Sequence, residues 1–456
     1  MRKAKANYHL ELVSNSFADP SKFWKVVNMN KNKSTTSTPS PVTFNDCFLH
    51  DPSEICQAFN THFAAAGNQF DVIYPDNSLN NNPQDDVLPS YPTSQFSLHT
   101  VTSSAVKEAL QTMDCRKATG EDHLNPYFLK LSAPIITNQI THLFNLSIST
   151  GVIPQVWKSA HVVPLHQGGD KKDINNYGPI SKLSCLAKIL ESLVNNQLKS
   201  FLSSNSVLNP HQSGFRAKHS TVTATTLVIN NITTAVDKGK YCAALFVDLS
   251  KAFDTVDHAL LLQRLHDIGF DCNSCKWFQD YLSHRQQCVL LGNERSTFLP
   301  LLKGVPQGSI LGPVLFSIYI NNITSSITNC NAHLYADDTV LYCFSNTAHS
   351  ATQILQQAFD NLQYALCNLK LVLNANKTKY MLFSRARDIV DVDTAENDLH
   401  VATLNGHSIE RVSQYTYLGI WLDQKITFKF HIDTLVRKLR QKIGYLYRNI
   451  QFSHVQ

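Results

Sequence analysis

Three observations in the sequence predict an α+β fold. From about Val101 onward, helical and strand signals are mixed without the regular alternation of βαβ units. A continuous apolar run of strand length, Tyr241 to Val247, ends in Asp248. Two shorter strand-like runs, His333 to Ala336 and Thr339 to Phe344, bracket Asp337-Asp338. A tight turn there would present both acids at one end of a two-stranded ribbon, and Asp248 can be brought alongside on a neighbouring strand.

The other elements follow in chain order. Residues 1–95 read as a small helical extension, in which polar, linker-like stretches at Ser34 to Pro41 and Pro75 to Ser94 flank a helical candidate. In that candidate Ile55, Phe59, Phe63 and Ala66 recur at helical spacing. Asp257 can cap a helix carrying Leu260, Leu261, Leu265 and Ile268. Gln287 to Leu291 and Thr297 to Leu302 flank Gly292-Asn293-Glu294-Arg295 as a hairpin, and Gly312 to Ile323 reads as an apolar helix. Ala351 to Leu373 reads as a helix, Lys379 to Phe383 as a strand, and Asn405-Gly406 as a hairpin turn before Tyr415 to Leu422. Near the end, Ile432, Leu435, Val436, Leu439, Ile443 and Leu446 make one apolar helical stripe. No internal repeat is visible.

At 456 residues the chain exceeds the ~250 to 300 residues at which a single core stops growing, so more than one compact unit is expected. Hydrophobic residues at 43% and charged residues at 16% argue against disorder over most of the length. No apolar run reaches the ~18 residues of a membrane span, and Met1-Arg2-Lys3-Ala4-Lys5 leads into polar sequence rather than a signal core. A soluble protein of the nucleus or cytoplasm, with no membrane partner, is therefore expected. The 11 cysteines are scattered, and the single CxxC pair, Cys272 and Cys275, reads as incidental thiols rather than a zinc site.

The net charge of +5 is too small to announce a nucleic-acid binder, but its distribution is uneven. Lys425, Lys429, Arg437, Lys438, Arg440, Lys442 and Arg448 face the single acid Asp433. The stretch reads either as a phosphate-facing surface or as a solvated helix face.

Joining a nucleotide to a 3′-hydroxyl calls for two cations, one to acidify the attacking hydroxyl and one to steady the triphosphate and its leaving group. Mg²⁺ is usually held by one or two protein carboxylates, with waters and substrate phosphates completing the octahedron. Three aspartates on adjacent strand ends suit that demand, although Asp-Asp in isolation is most often a solvated turn.

The surrounding strings change that balance. FVDLSKAFDTVDH (Phe246 to His258), GVPQGSILGP (Gly304 to Pro313) and YADD (Tyr335 to Asp338), in this order, resemble the reverse transcriptase family, and specifically its LINE-type (non-LTR) retrotransposon branch. The resemblance runs over roughly residues 100 to 450. It takes in Ile153-Pro154 with Trp157-Lys158, Gly168-Gly169-Asp170, Asn176-Tyr177 with Pro179-Ile180-Ser181, and QSGFRAKHST from Gln212 to Thr221, which are similar to the family's fingers region. It also takes in Leu373-Asn374 with Lys377-Thr378, similar to the segment behind the active site, and Tyr417-Leu418-Gly419-Ile420 with Asp423, similar to the primer-grip region.

The resemblance implies a right-hand polymerase with fingers at 100–235, palm at 236–424 and a short thumb at 425–456. The activity it implies is RNA-directed DNA synthesis, with an RNA template, a DNA primer and deoxynucleoside triphosphates as partners and two Mg²⁺ ions, or Mn²⁺, as cofactors. Asp248 and Asp337 would bind both metals with support from Asp338, and the carbonyl of Leu249 would be a further ligand. Phe253 falls at the position of the ring that excludes a ribose 2′-hydroxyl. Gln307 corresponds to a glutamine near the incoming nucleotide, with Gly308 allowing close backbone approach. Arg216 resembles an arginine suited to triphosphate or template, and Lys377 a lysine that protonates departing pyrophosphate. Arg437, Lys438, Arg440 and Lys442 would grip the duplex. Apart from the resemblance, Phe253 reads as a core ring, Pro-Gln-Gly as a turn, and Arg216 and Lys377 as solvated cations.

The chain departs from the family pattern at three places. Gly178 stands where an arginine is usual, Gln167 where a lysine is common, and Glu121-Asp122-His123 follow Gly120 where Pro-Asp-Gly is common. No stretch ahead of residue 100 resembles the endonuclease of such elements, so target nicking is expected from a separate or lost domain. Two rival readings stand beside the first. One is an RNA-dependent RNA polymerase, disfavoured by Phe253 and the Ala336-Asp337-Asp338 string. The other is an inactive, element-derived RNA-binding protein, favoured by Gly178 and disfavoured by the intact aspartates.

Overall fold

The computed structural model describes residues 8, 11–12, 15, 19, 22–24, 41–67, 94–385 and 399–451, with side chains to 447 in the last helix. The two linker-like stretches therefore lie almost wholly outside the described residues. The chain divides into two compact units, Pro39–Ser413 and, separately, Met1–Thr38 with Gln414–Gln456.

The larger unit begins with a hairpin, β1 (Val42–Phe44) and β2 (Cys47–Leu49), which the sequence reading did not anticipate. The helix Pro52–Ala65 follows, started by Pro52 and by the Asp51 carboxylate, which accepts from the Ser53 and Glu54 amides at 3.1 Å. Its predicted apolar face, Ile55, Phe59 and Phe63, is buried in a small core with Val162, Tyr177 and Val289. The helix thus packs on a sheet built from residues more than 90 positions downstream.

That sheet starts with β3 (Ser159–His166) and β4 (Tyr177–Lys182), an antiparallel pair. The helices Cys185–Ser204 and Thr221–Asp237 then lead to β5 (Tyr241–Val247), whose limits coincide with the predicted apolar run. Asp257 caps the helix His258–Asp267 as expected, accepting from the Leu260 amide at 3.1 Å. Next come β6 (Arg285–Leu291), β7 (Glu294–Arg295) and β8 (Leu299–Leu301), with the predicted hairpin turning at Gly292-Asn293. β6 runs parallel to β3 and antiparallel to β8, so this excursion completes the sheet of β3 and β4.

β5 belongs to a second, six-stranded sheet. It lies between β10 (Asp338–Ser345) and β11 (Lys379–Phe383), with β9 (Asn331–Tyr335) at one edge. At the other edge, β12 (Val401–Ala402) and β13 (Ser408–Arg411) are joined through the predicted Asn405-Gly406 turn. Every residue of β5 after Tyr241 is buried, which a strand covered on both faces requires and which explains its unbroken apolar sequence.

Two helices are shorter than their apolar patterns suggested. The helix Gly312–Tyr319 stops four residues early, and the helix Ala348–Asn368 ends where Lys370 takes a left-handed conformation, φ +52°. Residues 371–373 then run extended: the Ser250 amide donates to the Val372 carbonyl at 2.8 Å, and Leu373 bridges Leu249.

In the other unit, the predicted run Tyr415 to Leu422 is two strands, β14 (Gln414–Tyr417) and β15 (Ile420–Asp423), joined at Leu418-Gly419. Both turn residues have positive φ, and Gly419 accommodates this without a Cβ clash. Asp423 accepts from the Lys425, Thr427 and Phe428 amides, which tightens the approach to the helix Lys429–Gln451. Along that helix Ile432, Leu435, Leu439 and Ile443 are all exposed, so its apolar stripe is open to solvent.

Candidate active site

The turn joining β9 to β10 holds only Ala336 and Asp337, because Asp338 already pairs with Tyr335 as the first residue of β10. The expectation that both acids occupy the turn is corrected accordingly. Ala336 carries the turn with φ +57°, a conformation unusual for a residue with a Cβ. β10 lies against β5 with Thr339 opposite Val247, so one step further Asp338 and Asp248 stand at the same end of the two strands. Asp248 is held by its backbone: its amide donates to Thr378 Oγ1 at 3.2 Å, and its carbonyl accepts from the Asn374 amide at 2.8 Å.

The electrostatics here follow first from loss of hydration and then, at Asp248 and Asp338, from the neighbouring carboxylates. Desolvation raises the Asp248 carboxyl above the ordinary range, the charge of Lys377 pulls it back, the Asp337 carboxylate pushes it up, and a hydrogen bond from Asn374 lowers it. Desolvation also raises Asp337. Asp338 is pushed up to about 6 by partial loss of hydration and then by Asp337 and Asp248. Carboxylates that raise one another in this way gain from a shared cation.

Asp248, Asp337 and Lys377 line an open cleft together with Phe253, Gln307 and Gly308. Leu249 lines it as well, whereas Asp338 stands outside its wall. Among the described residues no group of three or more His, Cys, Asp and Glu side chains forms a self-contained metal cage. The pair Asp248 and Asp337 suits a hard cation that takes its remaining oxygens from backbone, water and substrate phosphate.

Phe253 is half-buried and stacks on Phe316, with ring centroids 4.4 Å apart and planes inclined by 24°; Phe215 meets it edge-on at 6.3 Å. Gly308 has φ +109°, and a Cβ there would lie 2.8 Å from the Ser181 carbonyl oxygen, so glycine is required on both counts. The Ser181 amide donates to the Gln307 carbonyl at 3.0 Å, fastening this loop to β4.

Arg216 does not reach the cleft. Its guanidinium donates to the Asn209 carbonyl at 3.2 Å, and the neighbouring Phe215 lines the cleft in its place. Arg437, Lys438, Arg440 and Lys442 are exposed on the helix of the other unit.

Several residues escaped the sequence reading. Asp254 and Lys251 both line the cleft and both lie inside the FVDLSKAFDTVDH string, where charged residues in an otherwise apolar turn were the available signal. Lys251 Nζ lies 3.1 Å from His62 Nε2, and desolvation lowers the lysine pKa while Asp254 partly restores it. The departures are also accounted for. A Cβ on Gly178 would overlap the side-chain amide of Gln167, so the two unusual residues fit one another. Glu121 pairs with His161 and with Arg295, and Asp122 accepts from the Ser184 hydroxyl, so both acids tie down their loop.

A six-stranded, mostly antiparallel sheet with acids at the ends of its central strands, facing an open cleft beside a second, smaller sheet, places the chain among palm-type polymerase folds. Residues 170–422 match the family described as reverse transcriptase (RNA-dependent DNA polymerase). The chain is 30% identical over 355 residues to the RNA-directed DNA polymerase from mobile element jockey of Drosophila melanogaster, covering 76% of this chain and 38% of that protein. It is 30% identical over 353 residues to the probable RNA-directed DNA polymerase from transposon BS of the same organism, covering 75% and 38%. With the probable RNA-directed DNA polymerase from transposon X-element, also of Drosophila melanogaster, it shares 26% identity over 344 residues, covering 74% and 37%. The chain belongs to the reverse transcriptase family, on its LINE-type (non-LTR) retrotransposon branch. It spans 38% of the length of the first two of these relatives.

Proposed function

We propose that this chain extends a DNA primer on an RNA template, taking deoxynucleoside triphosphates as substrates. The observation that carries the proposal is the convergence of Asp248 and Asp337 on one cleft that Phe253 and Gln307 also line. Two divalent cations, Mg²⁺ or Mn²⁺, would be held by Asp248 and Asp337 with the Leu249 carbonyl, and would acidify the primer hydroxyl and neutralise the triphosphate.

The chain's own residues do the rest. Phe253, braced by Phe316, offers a fixed ring edge against the sugar. Gln307 presents a polar group to the nucleotide. Lys377, close enough to Asp248 to lower its pKa, would give a proton to the departing pyrophosphate. The basic face of the helix Lys429–Gln451 supplies charge for the duplex backbone. Among the described residues no helix is long and apolar enough to cross a membrane.

The second reading, an RNA-binding protein without synthesis, is favoured by one observation: at Gly178 the cleft wall carries a glutamine amide rather than a fixed positive charge. Primer extension on poly(rA)/oligo(dT) in Mg²⁺ or Mn²⁺, comparing the chain with Asp337→Asn, separates the two. Extension abolished by the substitution supports the polymerase. Template binding with no extension by either protein supports the second reading.

A further inference from the structure

The segment 209–220 carries one of the family-like strings, and at residues 211–213 it is bonded to β9. It lies along the outer edge of β9. The Leu334 amide donates to the His211 carbonyl at 2.9 Å, and the Ser213 amide donates back to the Leu334 carbonyl at 2.8 Å. Ser213 Oγ is 3.0 Å from His333 Nε2 and 3.0 Å from His219 Nδ1, which adds a side-chain tie to the same strand. The strap thereby covers a sheet edge that leads directly into the Ala336-Asp337 turn.

Within this strap Gln212 is 1% exposed. Its Oε1 accepts from the Gly214 amide at 2.7 Å and from the Ala336 amide at 3.2 Å. Ala336 is the left-handed residue that sets the direction of the next peptide, and therefore of the Asp337 side chain. Gly214 packs on the same peptide so closely that a Cβ would overlap the Ala336 nitrogen. One side chain and one missing side chain thus close on a single backbone N–H. A residue kept only to fill space would not need an amide here, since Gln212 Nε2 is buried without a hydrogen-bond partner. Its oxygen is the functional end, at the cost of an unsatisfied donor.

We propose that Gln212 is a positioning residue for the catalytic turn: by holding the Ala336 amide, with Gly214 packed against it, it sets Asp337 in the orientation that receives a divalent cation. The proposal rests on the reading of Asp248 and Asp337 as cation ligands. It assigns to the Gln212 strap a role in aligning the palm carboxylates rather than in touching the nucleotide.

The test uses the full chain with Gln212→Met, which keeps the length and loses the acceptor, Gly214→Ala, which pushes on the same peptide, and Asp337→Asn. Two readouts are taken: hydrogen–deuterium exchange of peptides covering residues 335–338, and Mn²⁺ binding followed by loss of the free-ion EPR signal with a dideoxy-terminated primer–template and nucleotide present. Gln212→Met and Gly214→Ala should each speed exchange at the turn by about tenfold, equivalent to ~1.4 kcal/mol, and weaken Mn²⁺ binding at least about threefold. Exchange over 241–247 should not change. A merely structural role would raise exchange across the whole sheet and leave the Mn²⁺ affinity of the folded fraction as it was. A folded Gln212→Met with parental exchange at the turn and parental Mn²⁺ affinity overturns the proposal. If instead Asp337→Asn binds Mn²⁺ as the parent does, the cation reading fails, and the exchange data alone decide whether Gln212 holds the turn.

Discussion

The side-chain nitrogen of Gln307 donates to both carboxylate oxygens of Asp254, at 3.0 and 3.1 Å. A carboxylate only accepts, so this contact determines which way the Gln307 amide faces and leaves its Oε1 as the free polar end beside the cleft. Asp254 carries a cost for the role: desolvation pushes its carboxyl up to about 6 against the pull of Gln307 and Lys251. Asp254→Asn, which can present its own nitrogen and let the Gln307 amide turn over, should raise the nucleotide KM about tenfold, or ~1.4 kcal/mol. kcat should stay within about threefold, and primer–template binding should not change. Steady-state kinetics at saturating primer–template check this, and an unchanged KM would show that Gln307 is oriented by something else.

Asp248→Ala and Asp337→Ala should each lower the rate of DNA synthesis by more than about a hundredfold, because each removes a carboxylate that converges on the cleft. The unfolding midpoint should hold or rise, since desolvation raises both groups and the Asp337 carboxylate raises Asp248 further. Thermal melts run beside primer extension read both quantities. A variant that loses activity only because it melts would make the aspartate structural.

Phe253 should set sugar choice. Its ring is braced by Phe316 at 4.4 Å, so it cannot easily swing aside for a 2′-hydroxyl. Phe253→Val should raise ribonucleotide use relative to deoxyribonucleotide use by at least roughly tenfold in the ratio of kcat/KM values. Single-nucleotide insertion assays with matched dNTP and NTP pairs give the ratio directly, and parental discrimination would return Phe253 to the core.

Neutralising Arg437, Lys438, Arg440 and Lys442 together should flatten the slope of log affinity for primer–template against log salt by up to ~4 units, one for each phosphate that no longer meets a cation. All four are exposed on the helix Lys429–Gln451. Fluorescence anisotropy across a salt series measures the slope, and no change would make this a solvated face.

His333 should make the fold sensitive to mild acid. It is 1% exposed, and burial, with the nearby His211 and His219, holds its imidazole down at about 4, from an ordinary 6.5. Between pH 6.5 and 4 the unfolded chain takes up a proton that the folded chain refuses, so stability is full above that window and falls as pH drops through it. His62, also held at about 4, adds to the loss. The unfolding midpoint should therefore fall between pH 7 and pH 5, and by less in His333→Asn than in the parent. Equal falls in the two would place the proton elsewhere.

By itself the sequence determined the elements whose cause is local. The apolar run of β5 announced a strand covered on both faces, Asp257 announced a helix start, and Tyr335 to Asp338 announced a tight hairpin, because burial period, capping and turn chemistry act over a few residues. The cleft residues Asp248, Asp337, Phe253 and Gln307 were likewise legible, from short strings that resemble a known family. What only the tertiary structure decided are the long-range pairings. β6 completes the sheet of β3 and β4 rather than that of β5, and the helix Pro52–Ala65 reaches over to it, with the Asn60 side chain donating to the Thr297 carbonyl at 2.7 Å across 237 residues. The same holds for the Gln307–Asp254 contact, the mutual fit of Gln167 and Gly178, the withdrawal of Arg216 from the cleft and the hold of Gln212 on Ala336. A single backbone amide or carboxylate accepts partners from anywhere in the chain, and nothing in the spacing of residues near it says which distant side chain the packing of two sheets will bring within hydrogen-bonding reach.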